Sequence, residues 1–287
     1  DALDHIPLDD SYASVPTNGF PWDAYHVNSI ALTGNDDFLV SMRNTWAAYL
    51  VKAATGKIAW TLGGKRSSFA FGQGAAFQWQ HDVAFGPGST VNMFDDHCCQ
   101  LTGGGTSVPA TGASRGLVLE LDQVTRTATL VAQYSGGDRF ETEYMGNTQP
   151  LTNGNTFVGW GSEPYLSEYS RSGQQLLQGR FPGPDLSYRS TLEPWVGLPL
   201  TLPAGAARQR SGRTTVYASW NGATQVVSWR VLASPGAGRL KAVGSAAKSG
   251  FETAIPVPAG YRSFRLQAVG INGRTIGASR PFSLVAG

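Results

Sequence analysis

The chain has 287 residues and a net charge of +2, with 41% hydrophobic, 11% aromatic and only 15% charged residues. At roughly 150 residues per domain that is about two domains, with ample apolar material for cores. The near-neutral balance gives no footprint for nucleic acid or an anionic membrane, although it leaves room for a local basic patch, and no run of about 18 apolar residues is present to span a membrane. Its 36 glycines, 16 prolines and eight tryptophans favour short strands and many turns over helical bundles.

The chain opens on Asp1-Ala2-Leu3-Asp4, polar from its first residue. It is therefore expected to carry no leader of its own, through processing or as part of something longer. Strands are predicted over 27–33 and 38–41, with a hairpin over 49–52 and 58–60 around Thr55-Gly56. The pattern returns as 83–85, 91–94 and the hairpin 117–122/128–131, and again as 148–152, 156–160 and 165–169/176–178. Each unit turns on a glycine, at Gly34, Gly88 and Gly154. Three four-stranded antiparallel units in series predict an all-β chain that begins with a partial β-propeller.

Three blades do not close a ring, which needs at least about four. Further blades are therefore expected upstream of Asp1 or from another chain, and self-association is expected of the open stack. Residues 1–200 are assigned to the propeller blades and 201–213, rich in Pro, Ala, Gly and Arg, to a linker. Over 214–287, alternating strands at 215–220, 225–232, 240–243, 252–257, 261–268 and 274–284 predict a small β-sandwich of spacer or adhesion type, and the strands at Trp220 and 261–268 with the Asn272-Gly273 turn resemble those of fibronectin type III.

Strand direction locates the chemistry. Tight turns fall on one rim of the stack, while the long loops 63–80 and 95–114 are expected on the other, where function is usually carried. That second rim holds His26 and His81, each before an inner strand and 8 and 7 residues ahead of its turn glycine. It also holds Arg43 and Asn44, Asp95 and Asp96, and Arg115. A histidine beside a fixed arginine makes an anion site that can move protons. The guanidinium fork suits an oxyanion. The alternative is that both histidines merely cap inner strands.

At these residues the sequence resembles the arylsulfotransferases. The likeness runs over about residues 20–198, through Asp23-Ala24-Tyr25-His26-Val27-Asn28-Ser29, Trp60-Thr61-Leu62-Gly63-Gly64-Lys65 and Trp79-Gln80-His81-Asp82. It continues through Phe94-Asp95-Asp96, Ser114-Arg115-Gly116-Leu117 and Leu151-Thr152-Asn153-Gly154-Asn155-Thr156. The resemblance implies a six-bladed propeller outside the cytoplasm: extracellular, periplasmic or at the cell surface. It implies transfer of a sulfuryl group between phenols through a sulfated histidine, with no cofactor and with a small phenolic or aryl-sulfate ligand. The matching positions are His26 and His81 as channel histidines and Arg115 as sulfate clamp, the three catalytic candidates, while Asn28, Arg43, Asp95, Asp96 and Tyr144 are the candidates to line the ligand.

One departure bears on activity. The family's nucleophilic histidine would fall in a later blade than that of His81, yet the third unit has Gly146-Asn147 there and no histidine follows His97. A non-catalytic secreted or cell-surface binding protein that reuses the pocket is the alternative function. Tyr144, Trp46 and Trp79 are candidates for an aromatic wall, whereas Trp60 and Trp160 are assigned to blade cores. No metal site is assigned. For the adjacent Cys98 and Cys99, a vicinal bridge, free thiols or a share in a metal site all stay open.

Overall fold

The computed structural model describes residues 1–97, 112–136 and 140–285. They divide into two compact units, Asp1–Leu192 and Glu193–Gly287, and the regular structure is almost wholly β. Among the described residues no helix is long and apolar enough to cross a membrane. Cys98, Cys99 and most of the loop after Asp96 lie outside the described residues.

The first unit contains three antiparallel meanders. β1 (Val27–Leu32), β2 (Phe38–Met42), β3 (Ala47–Val51) and β4 (Ile58–Gly63) make a four-stranded sheet in chain order. β5 (Ala70–Phe71) precedes β6 (His81–Phe85), β7 (Thr90–Asp95), β8 (Arg115–Asp122) and β9 (Thr127–Ser135), which form the second sheet with β5 on its outer edge. The third sheet is β10 (Asn147–Pro150), β11 (Thr156–Gly159), β12 (Tyr165–Tyr169) and β13 (Gln175–Arg180).

Period-two burial explains the strands. In β8, Leu117, Leu119 and Leu121 are buried while Glu120 and Asp122 face water. The turn that follows is set by Asp122, whose Oδ1 accepts from the amides of Val124 and Thr125. One core joins the first two sheets through Leu39, Leu62, Trp60, Val83, Met93 and Leu117. Another joins the second and third through Phe94, Tyr134, Phe140, Val158 and Trp160. Trp60 and Trp160 thus lie in the cores.

Two expectations are corrected. Segment 63–80 is not confined to one rim: its middle lays β5 parallel to β9, pairing Ala70 with Thr127 and Phe71 with Ala128, and its last residues return to Asp95 and Arg115. Its Phe69, Ala75 and Phe77 are buried, so its apolar residues made it part of the core. Residues 201–213 are not a linker either. Ala204–Arg210 is a strand, β14, that runs into β15 (Arg213–Ser219) through Ser211 and Gly212, both at positive φ. A two-residue turn of that kind matches the twist of a hairpin.

The second unit continues with β16 (Ser228–Ser234), β17 (Lys241–Ala247), β18 (Thr253–Val257), β19 (Ser263–Val269), β20 (Thr275–Ala278) and β21 (Phe282–Val285). Hydrogen bonding runs in one path, β17-β16-β19-β21-β14-β15-β18, with β20 on β19. β21 makes the join by pairing antiparallel with β19 and parallel with β14. Trp229, Val231, Ile255, Phe264 and Leu266 fill its core.

After β13 the first unit ends in a strap that returns to the inner strands. Asn147 Oδ1 accepts from the Ser190 amide and its Nδ2 donates to the Ser190 carbonyl, each at 2.8 Å. Gln149 holds Leu192 in the same two-way fashion. The strap lies beside β10, and its Tyr188 and Arg189 reach β1 and β6.

Candidate functional site

Both β1 and β6 begin with a bulge. Pairing shifts between Val27 and Ser29 in one strand and between His81 and Ala84 in the other. Asp82 sits at φ 54° inside the second bulge. Such bulges re-aim a side chain at the end of a strand. Here the bulge turns His81 inward, where it is 2% exposed.

His81 Nδ1 lies 2.7 Å from Asp96 Oδ2, and Met145 N–H donates to Nε2 at 3.3 Å. An acceptor at Nε2 assigns the proton to Nδ1, which therefore donates to the Asp96 carboxylate. Burial foremost, then the Arg43 charge, pushes the His81 pKa down to about 3, so the ring is neutral. Asp96 is fully buried, and its Oδ1 has no hydrogen-bond partner among the described residues. Burial pushes its carboxyl up, and Arg43 opposes that shift.

Arg43 follows β2 in a single 3₁₀ turn, buried, with its guanidinium 4.6 Å from the Trp79 ring centre. Nη1 donates to Asn44 Oδ1 and Nη2 to the Glu143 carbonyl. It balances the Asp96 charge without standing open to solvent. Trp79 is buried and Trp46 stacks on Tyr12, so both serve this packing and neither forms an open wall.

Arg115 faces another neighbourhood. Its Nε donates to Asp95 Oδ2 at 2.9 Å, Nη1 to Gln133 Oε1 at 2.6 Å and Nη2 to the Ala76 carbonyl at 2.7 Å. Asp95 also accepts from the Gln78 amide and meets His97 Nδ1. Every arm of the Arg115 fork is occupied within the protein. Strand register sets His81 opposite Phe94 and Asp95 opposite Arg115, so these residues share one end of the second sheet. Their side chains diverge, with His81 on Asp96 and Arg115 on Asp95.

His26 is half-exposed, with Nδ1 2.5 Å from Asp23 Oδ2, and its carbonyl accepts the Arg43 amide. Asn28 donates from Nδ2 to the Gln80 carbonyl at 2.7 Å, tying β1 to the chain just before β6. Tyr144 is half-buried and gives its carbonyl to the Ser162 amide. Gly146, standing where a third histidine was sought, has φ 100°, and a Cβ there would lie 2.5 Å from the Phe94 ring. No side chain fits that position.

Sequence reasoning missed Tyr188 and Arg189. The Tyr188 ring meets His81 edge-on at 6.2 Å between centroids. Arg189 Nε lies 3.0 Å from Asp82 Oδ1, and its Nη2 donates to the Asn28 carbonyl at 3.1 Å. The available signal was Tyr188-Arg189-Ser190-Thr191-Leu192, an aromatic and a cation entering a short strand-like run, as in Tyr25-His26-Val27-Asn28-Ser29.

Among solved structures, the chain is similar to a protein of unknown function from Bacteroides caccae, with TM-score 0.35 and 11% identity over 89% of this chain and 75% of that one. Kuenenia stuttgartiensis hydrazine synthase has TM-score 0.35 and 7% identity, over 89% of this chain and 77% of that one. The PQQ-bound aldose sugar dehydrogenase of Streptomyces coelicolor has TM-score 0.35 and 12% identity, over 96% of this chain and 88% of that one. No curated protein matches. The family model described as Arylsulfotransferase (ASST) matches residues 1–182, well over half of the chain and all three sheets, though not the strap with Tyr188 and Arg189, and the chain belongs to that family.

Proposed function

We propose that the three sheets are consecutive propeller blades and that the site at their inner strands transfers a sulfuryl group from an aryl sulfate to a phenol. The His81–Asp96 pair carries this reading. A neutral imidazole whose Nδ1–H is fixed on a buried carboxylate presents its other nitrogen as a nucleophile. Nε2 attacks sulfur, the N–S bond forms, and the S–O bond breaks with its electron pair leaving on the phenolate oxygen. Asp96 balances the charge gained by the ring. An acceptor phenol then attacks the same sulfur and returns the N–S pair to Nε2. Its proton passes to the released phenolate, with His26 as the relay, so that one aryl sulfate and one phenol become the other pair. Arg115 and Asp95 hold the frame in this reading, and the second unit is a β-sandwich module outside the chemistry.

The test supplies 4-nitrophenyl sulfate with and without a phenol acceptor. Nitrophenol release, acceptor sulfation and a sulfuryl group on the His81 peptide after acid-free quenching are the expected results. Absence of all three overturns the transfer reading. A second reading is favoured by the Met145 N–H on Nε2 and the near-complete burial of His81: a binding protein in which the pair is structural. Saturable binding of the aryl sulfate without release of nitrophenol would establish it.

A further inference from the structure

We propose that Arg189 is the sulfate-recognising residue of this site and that its ion pair with Asp82 holds Tyr188 closed over His81. The inference rests on the transfer reading for its substrate, an anionic sulfate ester, but its geometry stands apart from turnover.

Among the described residues, Arg43 and Arg189 stand near His81, and Arg115 stands at the same end of the second sheet with its side chain turned to Asp95. Arg43 is 2% exposed and Arg115 has 13% of its side chain exposed, each with its donors turned inward. Arg189 has 40% of its side chain exposed and holds Asp82, itself 22% exposed. An ion pair so open to water is weak and readily exchanged for another oxyanion. The guanidinium fork fits two oxygens of a sulfate as well as it fits a carboxylate.

The strap is held unequally along its length. Ser190 and Leu192 are anchored by the paired side-chain bonds of Asn147 and Gln149. The end that covers His81 is held by the Gly146 amide on the Tyr188 carbonyl, by Arg189 on Asp82 and the Asn28 carbonyl, and by a long 3.4 Å bond from the Tyr188 hydroxyl to that carbonyl. A sulfate that takes Arg189 from Asp82 also draws it off the Asn28 carbonyl, which removes two of these contacts and lets Tyr188 swing off the imidazole. A neutral ester offers the guanidinium no anion and leaves the strap shut. Selection for a charged ester and exposure of His81 are then one event.

Inorganic sulfate is the binding probe, measured calorimetrically on the full chain, and diethyl pyrocarbonate labelling of the His81 peptide reports its cover. Asp82→Asn frees Arg189, so sulfate affinity and labelling rate should each rise about fivefold, the inverse of the fraction open in the unaltered protein. Arg189→Gln should abolish sulfate binding and also speed labelling, and Arg189→Lys should bind sulfate more weakly than the unaltered protein while remaining folded. Unchanged affinity and labelling in Asp82→Asn, or full sulfate binding in Arg189→Lys, overturns the proposal. The transfer reading fails separately: Arg189-dependent sulfate binding without nitrophenol release sinks the reading and keeps the clamp. Turnover with sulfate binding indifferent to Arg189 does the reverse.

Discussion

Asp95 and Asp96 are neighbours in sequence, both 0% exposed, and they lead different lives. Asp95 accepts from the Gln78 amide and from Arg115, and it meets His97 as well. That neighbourhood is saturated, and a saturated buried carboxylate fixes geometry. Asp96 holds His81 with one oxygen and leaves the other without a hydrogen-bond partner among the described residues. An unsatisfied buried acceptor is costly, so such a group asks for a role beyond packing. Alternation along the chain sends the two side chains to opposite sides, and their unlike surroundings follow from that.

The sharpest way to break the contrast is to remove the imidazole. His81→Ala should lower aryl-sulfate transfer by at least about 10³-fold, with sulfate affinity little changed. Asp96→Asn should cost about 10²-fold or more in turnover, because an amide can favour the wrong tautomer. Stability should fall as well, since Arg43 then stays buried without the charge that it balances, so turnover is compared at equal folded fraction. Nitrophenol release by the refolded variants, normalised to their circular dichroism, is the measurement. Activity within tenfold of the unaltered protein in both would return Asp96 to the same structural class as Asp95.

Arg115 tests the other half. The resemblance makes it a sulfate clamp, but its three donor groups are spent on Asp95, Gln133 and Ala76. Arg115→Ala leaves Asp95 buried with its main counter-charge gone and should cost about 3 kcal/mol of stability. Arg115→Lys keeps the charge, loses the fork and should cost about 1–2 kcal/mol. Urea midpoints decide both. A near-normal midpoint combined with lost sulfate affinity would restore Arg115 to the clamp role.

Much of this was legible in the sequence, for identifiable reasons. Alternation in 117–122 and the turn glycines gave the meanders, because period-two burial is a local property. His81 and Asp96 could be named from residue type and strand position. Their pairing could not, because it depends on a bulge at Asp82 that no composition signals. The strap stayed hidden because Ser190 and Leu192 are held by side chains of Asn147 and Gln149 instead of a regular ladder. The 201–213 stretch looked like a linker because it is rich in Pro, Ala, Gly and Arg. Ala207 alone is buried within β14, and the Ser211-Gly212 turn was the overlooked sign.

Acid sharpens the comparison through His81 itself. An unfolded histidine titrates near 6.5, whereas burial and Arg43 push the folded one down to about 3. Below about pH 6.5 the unfolded chain takes up a proton that the folded chain refuses, so His81 contributes stability at higher pH that is lost as pH falls toward 3. The slope is at most about 1.4 kcal/mol per pH unit. Asp96, whose carboxyl is pushed up, acts in the opposite sense and recovers part of the loss on acidification. The stability difference between the unaltered protein and His81→Asn should therefore shrink steadily between pH 6.5 and pH 3. A difference that stays constant over that window would mean that His81 is not held neutral.

The smallest effect belongs to His26, the exposed counterpart of His81. Its ring rests on Asp23, with 38% and 61% of the two side chains exposed, so its removal touches no core and should leave the urea midpoint unchanged. In the proposed transfer its contribution is confined to moving a proton between the acceptor and the departing phenolate. That need shrinks as the leaving phenol becomes more acidic. His26→Ala should thus slow transfer from an unsubstituted phenyl sulfate by roughly tenfold and from 4-nitrophenyl sulfate by about twofold or less. Hydrogen bonding to Asp23 orients the ring, so Asp23→Asn should show the same leaving-group dependence at lower amplitude. Equal slowing for both esters would remove His26 from proton transfer and leave its Asp23 contact as a surface pair, since exposed pairs are worth little.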